Sequence, residues 1–310
     1  MVGNEPPPAA KRRVRMKRTL SGKIFDVCNV MFMILLAAVF VCPYLNQVAI
    51  SLNSGSDTLR GGITVFPREF TLMNYKVILT NSQVIRSTAV TVVSVAAKTL
   101  LVLLVNLSAA YALRKKEMPY RSGIIWFLII PTYISAGIIP TYILFRYLHL
   151  LNSIFVYILP GMFVFYNMLI IRTFLSSIPE ALEEAALLDG AGEFKILFSI
   201  ILPLSMPVIA TVALWTLVEQ WNDWTTTLYY VTDSDNFKLQ YVIMQLIKQA
   251  EQVQKMAASA TAMVSTENTK PISESIQSAG VIFSTLPIVV MYPFLQKYFV
   301  KGVTLGGVKD

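Results

Sequence analysis

Long apolar runs, each bounded by polar or basic residues, constrain this sequence more than any other feature. Every run exceeds twenty residues, roughly what a helix needs to cross a hydrocarbon core of about 30 Å. Hydrophobic residues make up 55% of the chain and charged residues 14%. We therefore predict an all-α membrane protein with six transmembrane helices, at residues 27–50, 87–112, 122–145, 154–175, 204–229 and 276–298.

The basic residues lie beside these runs rather than along one soluble face. The formal net charge is +8, but a nucleic-acid site needs such charge on a single exposed surface. Basic clusters instead fill residues 11–23, before the first run, and residues 114–121, after the second. Basic residues next to spans remain in the cytoplasm. We predict a multi-pass protein of the cell membrane with both termini cytoplasmic and no nucleic-acid partner.

The same pattern divides the chain into three parts. Residues 1–26 are predicted to be a cytoplasmic basic tail and residues 303–310 a cytoplasmic C-terminal tail, on either side of a six-span domain at 27–302. Two longer polar segments interrupt that domain. The first, 177–203, lies between the fourth and fifth runs, and the second, 231–275, is predicted to be an external loop, partly helical.

The segment 177–203 reads as two short helices around a turn. Ser177 and Glu180 match a capping box, which predicts a helix start at this point. Gly190 is expected to end the first helix, because glycine accepts the left-handed conformation of a helix C-terminus. A short bent helix at a membrane face suits docking to another protein. The alternative is an interfacial amphipathic helix without a partner.

This segment also has a spaced pattern: Glu184-Ala185-Ala186, three residues, Gly190, nine residues, and then Ile200-x-Leu202-Pro203. The pattern resembles the signature loop of ABC-importer permeases. Three other segments stand out: Ser108 to Leu113, Trp221-Asn222-Asp223-Trp224, and Phe294 to Gly302 continued by Gly306 to Lys309. They resemble carbohydrate-importer permeases of the MalG type, with the LplC/YtcP-like permeases as the closest subgroup.

The resemblance implies a type I ABC importer (MetI-like) permease fold and a set of partners. They are a second permease subunit, expected to be a paralogue, two ATPase subunits, an external substrate-binding protein, a sugar or oligosaccharide substrate and membrane lipid. The segment 177–203 would be the coupling loop that docks to an ATPase. Its expected coupling residues are Glu184, Ala185, Ala186, Asp189, Gly190, Ile200, Leu202 and Pro203. A permease for amino acids or peptides, or an ATPase-independent secondary transporter, is the alternative.

The sequence offers no chemistry of its own. It contains no glycine-rich Lys-Ser/Thr phosphate loop, so ATP and its magnesium ion are expected on a separate ATPase subunit. One histidine, His149, and two cysteines give no catalytic arrangement and no metal-ligand spacing. We expect no catalytic residue, no metal site and no cofactor.

Polar residues inside the apolar runs are candidates for a translocation path. They are Lys98, Glu219, Trp221, Asn222 and Asp223. A charge in hydrocarbon is costly, so Lys98 should face protein or water. Two roles remain open for it, attraction of an anionic substrate or pairing with Glu219. For Trp221 and Trp224, stacking on sugar rings competes with an ordinary interfacial aromatic belt.

Overall fold

The computed structural model describes residues 20–58, 60–260 and 274–306. The predicted tails therefore lie mostly outside the described residues, as do positions 261–273 of the predicted external loop. The described chain is built of helices and turns and contains no β-strand. This confirms the all-α prediction and reflects the rule that a spanning chain must satisfy its backbone polar groups internally.

Three of the predicted runs form single long helices. They are α1 (Leu20–Ser51), α4 (Ser82–Arg114) and α15 (Glu274–Gly306), each long and apolar enough to cross a membrane. Between α1 and α4 lie two short helices, α2 (Gly55–Thr58) and α3 (Met73–Thr80). Asn53 holds the segment between α2 and α3 close to the end of α1. Its side-chain oxygen accepts hydrogen bonds from the backbone N–H groups of Arg68 and Glu69, at 2.9 and 2.8 Å.

The other runs are broken. The third consists of α5 (Arg121–Ile129), a 3-10 turn (Ile130–Tyr133) that contains Pro131, and α6 (Ile138–Tyr147), and it bends by 117° at the break before α6, which contains Gly137. The fourth consists of α7 (Phe155–Ile158) and α8 (Phe165–Leu175), interrupted at Pro160 and Gly161. Proline and glycine at these breaks are the expected cause. Six spans are consistent with this arrangement and remain a prediction.

The segment after the fourth run turns across the end of the bundle. It contains α9 (Ala181–Leu188), α10 (Glu193–Ile196), a π-helical turn (Leu197–Ile201) and α11 (Leu202–Leu204). The helical stretch 193–204 then meets the fifth span, α12 (Met206–Asn222), at 81°. The predicted capping box is wrong, because the Ser177 hydroxyl donates to the carbonyl of Phe174 and α9 has no side-chain cap.

The predicted external loop is partly helical, as expected. After α12 come α13 (Thr225–Tyr230), a 3-10 turn (Ser234–Asn236) and α14 (Leu239–Ala260). α14 packs on α4 and α15 through the buried side chains Leu239, Val242 and Ile243. The segment is therefore anchored to the bundle over its first turns.

Helix α4 is the centre of the fold. Its later half packs with α8, α12 and the segment 178–201 in one apolar core, and its earlier half packs with α12, α14 and α15 in another. α1 stands outside both cores, since it packs mainly on α15 and leaves its apolar side chains exposed. Movement of α4 would therefore reach nearly every other span.

Candidate functional site

The first candidate site is the outer surface of α9 and of α10, the short helix that follows it. Leu188 and Phe194 are 89% and 80% exposed. Glu184 and Asp189, both exposed, lie on the same short segment. Large apolar side chains in a polar setting are typical of a surface that another protein covers.

The turn between the two short helices has the conformation that its glycine predicts. Gly190 adopts φ +77°, in the left-handed region, and its N–H donates to Leu187 O at 3.0 Å. The N–H of Ala191 donates to Ala186 O at 3.0 Å. These bonds satisfy carbonyls that a helix end otherwise leaves free. The turn fixes the angle at which α10 leaves α9.

The inner surface of this segment is part of the core. Ala186, Ile196 and Ile201 are buried in the cluster that holds the ends of α4 and α8, and Ile200 and Leu202 pack against it. The predicted coupling residues thus divide into two groups. The exposed group contains Glu184, Ala185, Asp189, Gly190 and Pro203. Only this group is available to a partner.

The end of α4 holds both short helices through charged groups. Arg114 Nη2 lies 2.7 Å from Glu183 Oε1 on α9, and these side chains are only 8% and 13% exposed. Lys115 pairs with Glu193 on α10, and the hydroxyl of Tyr111 donates to the same carboxylate at 2.7 Å. The Lys115 ammonium and the Tyr111 hydroxyl hold the pKa of Glu193 below its ordinary value.

This arrangement can transmit force. Two ion pairs and a shared apolar core connect α9 and α10 to α4, and closely packed elements move together. A push on the exposed side of α9 would therefore displace α4. The sequence predicted that this segment docks to a partner, but it did not identify Glu183, Glu193 or the basic end of α4 as the groups that connect the segment to the bundle.

The second candidate site is one face of α12. Trp215, Glu219 and Asn222 follow the i, i+4, i+7 spacing of a single helical face, and all three are exposed. The ring of Tyr166 on α8 stacks on Trp215, with centroids 6.1 Å apart and planes 23° apart. The sequence predicted Glu219 and Asn222 for the path but missed the two aromatic residues. In the sequence, only the four-residue spacing between Trp215 and Glu219 could have indicated that Trp215 shares a helical face with the predicted path residues.

Trp221 and Asp223 point into the protein instead. Trp221 is 8% exposed, and its ring N–H donates to Ser284 O at 2.7 Å. An interfacial belt is therefore not its role. Asp223 Oδ2 lies 3.2 Å from the Nζ atom of Lys238, and Asp223 Oδ1 accepts the backbone N–H of Thr226 at 3.0 Å. Both residues hold α12 to its neighbours.

Lys238 is a buried cation that the sequence did not single out. It is 0% exposed, donates to Gln220 O at 3.0 Å and lies 4.7 Å from the ring centroid of Tyr157. Burial lowers the pKa of Lys238, and the adjacent Asp223 carboxylate opposes that shift. Because the lysine stands in a segment predicted to be a loop, spacing alone could not reveal its partner.

Lys98 and Asn106 bind the backbone groups that are left unpaired where the fourth span is broken. Lys98 is 5% exposed and donates to the carbonyl of Pro160. The N–H of Val164 donates to Asn106 Oδ1 at 3.1 Å. In an unbroken helix this carbonyl and this N–H would bind each other, four residues apart. Two side chains of α4 therefore replace one lost backbone hydrogen bond.

Pairing of Lys98 with Glu219 was one of the two roles left open by the sequence. Among the described residues these two side chains form no ion pair. Lys98 instead has the carbonyl partner that a broken helix offers. Neither of the two roles left open by the sequence anticipated this contact.

Comparison with known proteins assigns the family. The family model described as binding-protein-dependent transport system inner membrane component matches residues 9–305. Protein LplC of Bacillus subtilis is 35% identical over 95% of this chain and 98% of its own length. The polygalacturonan/rhamnogalacturonan transport system permease protein YtcP of the same organism is 29% identical over 94% and 100%.

A solved structure supports the fold. It is a bacterial ABC transporter involved in the import of the acidic polysaccharide alginate, with a TM-score of 0.80 at 24% identity, covering 91% of this chain and 98% of that chain. The match confirms the predicted MetI-like permease fold. The chain therefore belongs to the family of inner-membrane components of binding-protein-dependent transport systems.

Proposed function

We propose that this chain is the transmembrane permease subunit of an ATP-driven importer for an oligosaccharide. It forms half of the translocation path and carries out no catalysis. ATP and Mg²⁺ bind to separate ATPase subunits, which dock on the exposed side of α9. In this orientation α9, the end of α4 and both termini are cytoplasmic, and α14 is external, as the basic residues near α4 favour.

One observation is the main support for the proposed coupling of α9 to the ATPase subunits. α9 presents exposed apolar and acidic side chains on its outer side, while Arg114 and Lys115 fix it and α10 to the central helix of the bundle. A docking surface with a rigid connection to α4 is what conversion of ATPase closure into helix movement requires. An interfacial helix without a partner would need neither ion pair.

The exposed face of α12 supports a sugar path. A charged side chain in hydrocarbon costs about 3 kcal/mol on insertion scales, so Glu219 should face water or protein. The stacked rings of Tyr166 and Trp215 offer apolar faces of the kind on which sugar rings pack, and Glu219 and Asn222 offer hydrogen-bonding groups beside them. YtcP belongs to a polygalacturonan/rhamnogalacturonan transport system, and the similar solved transporter is involved in the import of alginate; both favour this substrate class.

The proposed assembly has four kinds of partner. A second permease subunit, expected to be a paralogue, completes the path, and two ATPase subunits provide the energy. An external substrate-binding protein delivers the oligosaccharide. The exposed apolar length of α1 faces lipid or the second permease subunit.

Two glycines on the coupling segment provide a matched test. Gly190 has φ +77°, and Gly192 has φ −74°, and an added Cβ would meet nothing within 4 Å at either position. Gly190→Val should abolish substrate-stimulated ATP hydrolysis in the purified complex, because a β-branched residue disfavours the left-handed turn. Gly192→Val adds the same volume without that strain and should retain stimulation. Full stimulation in an assembled Gly190→Val complex would refute the coupling role.

Uptake by proteoliposomes tests the substrate class. The complex is reconstituted with its external binding protein and ATP, and offered neutral oligosaccharides, uronic-acid oligosaccharides and oligopeptides. We expect ATP-dependent uptake of an oligosaccharide. Uptake of peptides alone would establish the amino-acid or peptide alternative, and uptake without ATP would favour a secondary transporter.

A further inference from the structure

A basic cavity lies on the same side of the bundle as α9 and takes no part in coupling or in the path. Its volume is about 490 Å³, within the range of small-ligand clefts. Three cations line it: Lys116 after α4, Arg121 at the start of α5 and Arg172 in the last turn of α8.

The two arginines of this cavity have no carboxylate partner among the described residues. Within the described chain, the Arg172 side chain makes no hydrogen bond or ion pair, and Arg121 donates only from Nε, to Leu113 O at 2.8 Å. That bond orients the Arg121 guanidinium and leaves its two terminal nitrogens available. Lys116 has a weak, exposed contact with Glu180 at 3.8 Å. Arg121 and Arg172, both partly buried, therefore bring two guanidinium groups without carboxylate partners to one cleft that an anion can enter.

Helix stability does not explain this arrangement. Arg172 near the end of α8 gains from the helix dipole, but Arg121 begins α5, where the dipole disfavours a cation. The two guanidinium groups also act on each other as like charges. An anionic group between them would remove both penalties and use the planar donor sets that suit phosphate.

The surroundings of the cavity indicate what carries the anion. Met118 and Ile125 line it beside the cations, and α5 continues with the exposed side chains Trp126 and Phe127, 65% and 74% accessible. Tyr120, 88% exposed, is an aromatic residue of the kind found at membrane interfaces. A ligand that fits has a phosphate head and apolar chains that can lie along α5.

We propose that this cavity binds the phosphate headgroup of an anionic phospholipid of the cytoplasmic leaflet. The assignment to the cytoplasmic leaflet rests on the proposed function, in which α9 and the end of α4 face the cytoplasm. Basic pockets between spanning helices on that side suit such headgroups. The lipid would tie the start of α5 to the end of α8, directly beside the coupling segment.

Native mass spectrometry of the intact transporter complex tests the site. The complex is equilibrated with equal amounts of phosphatidylglycerol and phosphatidylcholine, and retained lipids are counted. Wild type should retain phosphatidylglycerol preferentially. Arg172→Gln should weaken that retention about tenfold, because it removes a charge-assisted contact. Arg146→Gln, the same change at an exposed position on α6 outside the cavity, should not alter it.

Further measurements distinguish a lipid site from a folding defect and from a site for free phosphate. Arg172→Lys keeps the charge and should retain more lipid than Arg172→Gln, which also controls for a folding defect. Equal retention of both lipids, or unchanged retention in Arg172→Gln, would overturn the proposal. Displacement of the lipid by millimolar inorganic phosphate would make free phosphate the ligand and equally reject a lipid site. The readout uses neither ATP hydrolysis nor uptake, so failure of the coupling test would leave a positive lipid result standing.

Discussion

Replacement of Lys238 by methionine should loosen α14 from the bundle. The substitution strands Asp223, which is 13% exposed and keeps only its contacts to Thr225 and Thr226. Breaking a buried ion pair by removing one partner costs about 3–5 kcal/mol, and the partial exposure of Asp223 favours the lower value. At about 1.4 kcal/mol per tenfold change, the equilibrium for opening of α14 should rise roughly a hundredfold.

The opening can be measured by thiol labelling. Val242, 3% exposed on α14, is replaced by cysteine in a complex that lacks Cys28 and Cys42. When reclosing is faster than labelling, the labelling rate follows the opening equilibrium. Lys248→Met, the same change at an exposed position of α14, should leave the rate unaltered. Adding Asp223→Asn to Lys238→Met should recover most of the loss. A change below about twofold in Lys238→Met would refute the buried-pair argument, since such a pair couples by at least about 0.5 kcal/mol.

Other contacts lead to further expectations. Arg114→Gln should strand Glu183 and lower substrate-stimulated ATP hydrolysis, with Glu183→Gln restoring part of it; no rescue by the second change would contradict a coupling role for the Arg114–Glu183 ion pair. Lys98→Met should lower the thermal stability of the complex by about 1.5–3 kcal/mol through the unpaired Pro160 carbonyl, and Glu219→Gln should not rescue it; rescue would indicate a Lys98–Glu219 pair. Trp215→Ala should slow oligosaccharide uptake more than Trp215→Phe, which keeps a stacking ring; equal rates would remove stacking from the path. A cysteine at the exposed Gln252 should react only with an external reagent, and labelling from the cytoplasmic side alone would overturn the orientation.

The sequence predicted what depends on neighbours along the chain. Long apolar runs specified the spanning helices, and Gly190 specified its left-handed turn, because both follow from local physical preferences. The helix start at Ser177 was wrong although its motif is local. Its hydroxyl can also donate to a carbonyl three residues earlier, and the structure adopts that bond.

Partners distant in sequence could not be predicted. Asp223 meets Lys238 across fifteen residues, and Lys98 meets Pro160 across sixty-two. Motif spacing identified Trp221 and Asp223 as notable, but their contacts to Ser284 and Lys238 depend on how α12, α14 and α15 pack. Only helix packing decides which polar residues of a spanning run are buried and which face the path.

The repair of the broken fourth span also bears on how the chain enters the membrane. Pro160 and Val164 would each expose an unpaired backbone group to lipid if this segment emerged alone, at a cost of several kcal/mol per group. Their partners, Lys98 and Asn106, belong to α4, which is synthesised earlier. N-terminal segments of a nascent chain form first. Because α4 precedes the broken span in the chain, Lys98 and Asn106 are already in place when the unpaired backbone groups enter the membrane. A variant with α4 placed after the broken span should therefore be impaired in membrane insertion rather than in transport.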